Sequence, residues 1–142
     1  MKAAELKLFK PKAVRAKHGD REGQEQAALM REIELRCPDV FALIYHVPNG
    51  GQRHKAVAVK LKGQGVKAGV PDLVLPMARG GFFGLYIEFK ATVDPAPVSA
   101  SQHAYIGRLN LQGYLAIVCR GHSDAMEQLR AYLMLPPTRP AA

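Results

Sequence analysis

A mixed α/β domain, with one central β-sheet flanked by helices, is the fold class this sequence predicts. Three observations predict it. The chain has 142 residues, the length of one compact domain. Its apolar fraction of 48% is enough to fill a core and sets it apart from disordered chains. Segments with helical spacing of apolar residues also alternate with short β-branched or aromatic runs, punctuated by Gly and Pro.

The elements follow in order. Residues 1–20 read as a basic arm. From Glu22 to about Arg36, the apolar positions Ala27, Leu29, Met30, Ile33 and Leu35 suit a helix that Pro38 would stop. Phe41 to Val47 is β-branched and aromatic and is expected to be a strand. Pro48-Asn49-Gly50-Gly51 is a turn signal, and Arg53 to Leu61 is compatible with a helix ended by Gly63 and Gly65. Pro71 and Pro76 bracket a short strand, Arg79-Gly80-Gly81 is a turn, and Gly84 to Lys90 is a second strand paired with the first as a hairpin. After a proline-containing loop, Ser99 begins a helix reaching about Gln112, with Gly113 in the position of a C-terminal cap. Tyr114 to Cys119 is a strand, and Ser123 or Asp124 opens a last helix that ends before Pro136-Pro137. The domain thus runs over 21–135, and 136–142 is a tail. No repeat and no low-complexity tract interrupts this order.

Charge narrows the partners. The formal net charge is +8 and the pI about 9.7. Residues 1–20 hold half of that surplus, with six Lys and Arg against Glu5 and Asp20. Arg53 to Lys67 holds Arg53, Lys55, Lys60, Lys62 and Lys67 and no acid. Two concentrated basic segments look like a phosphate footprint, pointing to nucleic acid before acidic membranes. Cys37 and Cys119 lie far apart with no C-x-x-C or Cys/His cluster, which argues against a zinc site and a disulfide framework. Both are expected to be small buried hydrophobes. No apolar run is long enough for a membrane span or a signal peptide, so the expected location is the cytoplasm. His46, His54, His103 and His122 are scattered and are assigned to no metal, and Tyr86 and Tyr105 are expected in the core or at its rim.

The hairpin carries the chemistry. Residues two apart on a strand face the same side, so Glu88 and Lys90 point together while Ile87 and Phe89 point into the core. Asp72, on the neighbouring strand, brings a second carboxylate beside Glu88. Two crowded carboxylates call for a hard divalent cation with oxygen ligands, Mg²⁺ or Mn²⁺ rather than Zn²⁺. Such an ion would activate water and polarise a phosphate, and Lys90 would orient the nucleophile and neutralise developing charge. The plain alternative is a same-face ion pair on an exposed strand, with Asp72 a turn residue after Pro71.

The runs Gly69-Val-Pro-Asp-Leu, Gly84-Leu-Tyr-Ile-Glu-Phe-Lys90, Ser99-Ala-Ser-Gln102, Gln112-Gly-Tyr114 and Val118-Cys119 occur in that order. With Val47-Pro-Asn-Gly-Gly51 ahead of them, they make the chain resemble the VRR-NUC family, a branch of the PD-(D/E)XK nucleases. The resemblance spans roughly residues 22–134 and implies a restriction-endonuclease-like fold. It also implies a metal-dependent endonuclease that hydrolyses DNA phosphodiesters. Asp72 and Glu88 match the metal-binding carboxylates, Lys90 the catalytic lysine, and Gln102 the glutamine of the following helix. Glu22 and Gln26 fit the family's early glutamate and the glutamine four residues on, with Glu25 a competitor for the acidic role. Stand-alone members are similar in size and act on branched DNA, which implies a four-way (Holliday) junction or flap substrate, a homodimer, and a bacterial or phage-infected cell.

Secondary assignments have structural alternatives. Gln102 would also complete a capping box with Ser99. Glu22 would also favour a helix N-terminus. Asn49, Arg53, Lys60, Lys62 and Lys67 are assigned to DNA contacts, though Asn-Gly is also a common turn and lysines are mostly solvated. A second function class stays open: a non-catalytic basic nucleic-acid-binding module in which the carboxylates are incidental. It differs from the enzyme in predicting metal-independent binding that does not change when Asp72 or Lys90 is altered.

Overall fold

The structure, a computed structural model, describes residues 20–48 and 55–139. The basic arm up to residue 19, together with Asn49, Arg53 and His54, lies outside the described residues. Helix α1 (Arg21–Arg36) starts at Asp20, whose carboxylate accepts a bond from the Gly23 amide at 2.8 Å. It buries Leu29 and Ile33.

The stretch from Phe41 to Val47, expected as one strand, opens as helix and turn instead. Pro38 ends α1 but also opens a one-turn helix, α2 (Pro38–Phe41), because its fixed φ suits a first helical position. The amide of Phe41 donates to the Cys37 carbonyl at 2.9 Å and that of Ile44 to the Val40 carbonyl at 2.9 Å. Val40 is buried in the core, so the run coils around it and only Tyr45–His46 remains extended, as strand β1. Helix α3 (Lys55–Gly63) follows and buries none of its side chains.

Strands β2 (Leu73–Leu75) and β3 (Leu85–Lys90) form the expected antiparallel hairpin, with Leu73 opposite Ile87 and Leu75 opposite Leu85. β1 pairs antiparallel with β2 on the outer side, setting His46 opposite Leu73. Helix α4 (Ala100–Leu111) carries the chain to β4 (Leu115–Arg120), which pairs parallel with β3; a parallel pair needs such a crossover. The sheet order is β1-β2-β3-β4.

Helix α5 (Gly121–Leu133) begins earlier than Ser123 or Asp124. Gly121 takes the turn at φ +85°, where a side chain would run into Thr92, and Asp124 reaches back to accept the Arg120 amide at 2.8 Å.

The sheet has two unlike faces. Leu85, Ile87 and Phe89 turn to the core, where Leu29 and Ile33 of α1 meet Ala125, Met126 and Leu129 of α5. Each large apolar side chain buried there contributes roughly 1.5–3 kcal/mol. Tyr86, Glu88 and Lys90 turn the other way, toward α4. The amide of Ala116 donates to Asn110 Oδ1 at 2.9 Å, which holds α4 against β4. Cys119 is fully buried, and burial pushes its thiol up to about 12; Cys37 is half-buried.

Candidate active site

Glu88 and Lys90 are the buried charged residues of the described chain, at 2% and 3% exposure. Strand alternation sends both to the α4 side while Ile87 and Phe89 hold β3 in the core. Burying an unpaired charge is costly, so each must find partners. Lys90 Nζ lies 3.2 Å from Glu88 Oε1 and 3.2 Å from Gln102 Oε1. Gln102 closes the triangle by donating from Nε2 to the same Glu88 oxygen at 2.7 Å.

Gln102 is where α4 and the site meet. Its Oε1 also accepts the Ser99 amide at 2.8 Å, and its own amide donates to Ser99 Oγ at 3.2 Å. The capping box therefore forms as expected, and the same side chain reaches the buried pair. Gly69 lets the strand approach this helix start. It sits at φ +85°, and a Cβ there would meet the backbone carbonyl of Ser101.

Asp72 stands across from Glu88. Its Oδ2 accepts the Phe89 amide at 2.8 Å, a bond that ties it to the middle of the carboxylate-bearing strand. Burial, then the Asp72 charge, push the Glu88 carboxyl up to about 7, against the opposing pull of Lys90. Glu22 on α1 faces the same place: burial and the charge of Asp72 raise its pKa, while Lys90 and a bond from the Ala91 backbone amide lower it. Glu25 faces elsewhere, accepting the Thr92 amide at 2.8 Å. Of the two candidate acids on α1, Glu22 is the one at the site.

A cleft of about 240 Å³ is lined by Glu22, Gly69, Asp72, Glu88, Ser101 and Gln102. A second, of about 410 Å³, shares Glu22 and Asp72 as walls and adds Gln26, His46 and Pro48. Sequence reasoning missed His46. Its signal was its place directly before the Val47–Gly51 segment, and β-pairing makes it a neighbour of Asp72.

The donor set can be tested against a divalent cation. Glu88 Oε2 is buried with no hydrogen-bond partner, and it belongs to a carboxylate crowded by another. An ionised carboxylate oxygen can only accept, so a proton or a cation fits there. Among the described residues no group of three or more His, Cys, Asp or Glu side chains is set to enclose a metal. A pair of carboxylates suits magnesium, which takes one or two of them and leaves other positions to water and phosphate. Asp72 and Glu88 are the residues that would hold it.

Lys60, Lys62 and Lys67 are exposed, on α3 and just after it. The structure does not bring them to the carboxylate cleft; Lys67 lines a separate groove with Val47, Leu61, Val66 and Tyr105. Tyr86 is half-buried, with its ring edge-on to Tyr114 at 5.3 Å, and Tyr105 is half-buried too. His122 bonds Glu32 across α5 and α1 at 3.1 Å, away from the site. Among the described residues no helix is long and apolar enough to cross a membrane.

Comparison with known proteins bears on this arrangement. The model of the VRR-NUC domain matches residues 20–123. A solved structure described as a VRR_NUC domain protein is similar at a TM-score of 0.73 and 30% identity, over 84% of this chain and 93% of that one. None of the curated proteins compared matches the chain.

Proposed function

Because the chain belongs to the VRR-NUC domain family, a nuclease family, we propose that it is a metal-dependent DNA endonuclease, selective for branched DNA and active as a homodimer. The observation that carries the metal dependence is the buried, unpartnered Oε2 of Glu88 beside Asp72. A bound Mg²⁺ or Mn²⁺ would polarise the scissile phosphate and lower the pKa of a coordinated water.

The chain's own residues do the rest. Asp72 and Glu88 hold the cation, and Asp72 is itself held by the Phe89 amide. Lys90, fixed by Glu88 and Gln102, supplies a positive charge that needs no reorganisation as negative charge develops on the phosphate. Glu22, in the same cleft, accepts a proton or orients water. The lysines of α3 and the basic arm hold phosphates without reading sequence. Branched substrates and a homodimer rest on the likeness to stand-alone members, since one small domain makes one cut at a time.

The deciding experiment is cleavage of labelled four-way junction, flap, duplex and single-stranded DNA with Mg²⁺, Mn²⁺ or EDTA, beside Lys90→Ala. Metal-dependent cutting of branched DNA that Lys90→Ala abolishes is expected. Binding that persists in EDTA, with no substrate cut under either metal, would replace the enzyme with a basic binding module. Sedimentation is expected to give a dimer; a strictly monomeric species would remove that part.

A further inference from the structure

His46 Nδ1 lies 2.8 Å from the Asp72 main-chain oxygen and 3.0 Å from Gln26 Nε2. These two contacts constrain each other. A carbonyl oxygen only accepts, so Nδ1 must carry the proton. A protonated Nδ1 has no in-plane lone pair and cannot accept from an amide nitrogen, so two donors would face each other across 3.0 Å. A half-turn of the Gln26 amide exchanges its nitrogen and oxygen and removes the conflict. Nδ1–H is then shared between two acceptors, Asp72 O and Gln26 Oε1. The same Asp72 carbonyl also accepts the Val47 amide at 2.7 Å, so His46 and the residue after it both hold it.

The half-turn has a consequence. Gln26 lines the cleft it shares with Glu22 and Asp72. With its oxygen held by His46, its –NH₂ is the end left to face that cleft, in the midst of carboxylates. An anionic oxygen bridged to those carboxylates by a cation is the ligand such a donor suits.

We propose that His46 is a positioning residue: its Nδ1–H holds the Asp72 backbone and turns the Gln26 amide nitrogen into the cleft, as a donor to a phosphate oxygen of the nucleic acid. The substrate half rests on the nuclease reading of the cleft; the hydrogen-bond half does not.

Two measurements separate them. The ¹⁵N imidazole shifts of His46, identified by their loss in His46→Asn, report the tautomer of the full chain without metal or DNA. A proton on Nδ1 is expected; a proton on Nε2 alone would overturn the proposal whatever the activity. Cleavage of a four-way junction then tests the role. The amide nitrogen of Asn takes the place of Nδ1 and that of Gln the place of Nε2. His46→Asn is therefore expected within about threefold of the parent in kcat/KM, and His46→Gln at least tenfold lower at equal Tm. Gln26→Leu is expected to raise KM more than it lowers kcat. Equal losses in the Asn and Gln variants would overturn the positioning role. An inactive parent with the Nδ1 tautomer present would sink the nuclease reading and leave the His46 bond standing.

Discussion

Lys90 Nζ stands 3.2 Å from Glu88 Oε1, and both side chains are buried. The pair is set by the pleat of one strand, since the residues are two apart and face one way. Removing the ammonium strands a buried carboxylate. Lys90→Met is expected to destabilise the protein by about 3 kcal/mol above pH 7, and by less near pH 5, where Glu88 takes a proton instead. Urea denaturation at the two pH values checks it. A cost that does not change with pH would mean that Glu88 is not the group left behind.

The raised Glu88 pKa gives stability a definite slope. A carboxyl that goes from 4.5 unfolded to about 7 folded binds its proton more tightly in the native state. Its stabilisation is complete below about pH 4.5 and is lost as pH rises through about 7. The metal-free protein is therefore expected to lose on the order of 3 kcal/mol from this group across that window. Glu88→Gln should flatten the profile over that range. Parallel profiles for parent and variant would contradict the assignment.

A proton and a cation compete for the same oxygens. Affinity for Mg²⁺ or Mn²⁺ is expected to rise about tenfold per pH unit below 7 and to level off above it. Below about pH 6, calorimetry in two buffers of different ionisation enthalpy should show about one proton released per ion bound. Asp72→Asn and Glu88→Gln should each abolish the heat. An affinity independent of pH would place the ion elsewhere.

Gly69→Ala tests the close approach of strand to helix. The substitution is strained twice, by φ +85° and by the Ser101 carbonyl in the path of the new methyl. A loss of about 1–3 kcal/mol is expected. Because the displaced segment carries Gln102, cleavage should fall further than stability alone explains. Full activity at reduced Tm would show that α4 can shift without disturbing the Glu88–Lys90 pair.

Much of this site was legible from residue order alone. The alternation of Ile87, Glu88, Phe89 and Lys90 named which side chains share a face, and Ser99 with Gln102 named a helix start. Those signals are local, and local chemistry decides them. The stretch from Phe41 to Val47 was misread because β-branched and aromatic residues also suit a turn wrapped around a buried Val40, which only tertiary packing decides. Choosing Glu22 over Glu25 required the Thr92 amide, 67 residues beyond Glu25. His46 stayed invisible for a similar reason: its partner is a main-chain oxygen, which carries no residue identity.

Gln102 also gives the buried pair a lifetime. One side chain both closes the first turn of α4 and bonds Glu88 and Lys90, so fraying of that turn takes the Gln102 bonds away from the buried pair. The three-way contact of Glu88, Lys90 and Gln102 then exists only as long as the turn stays wound. Amide exchange at Gln102, whose protection comes from Ser99 Oγ, becomes a clock for how often Gln102 leaves the Glu88–Lys90 pair.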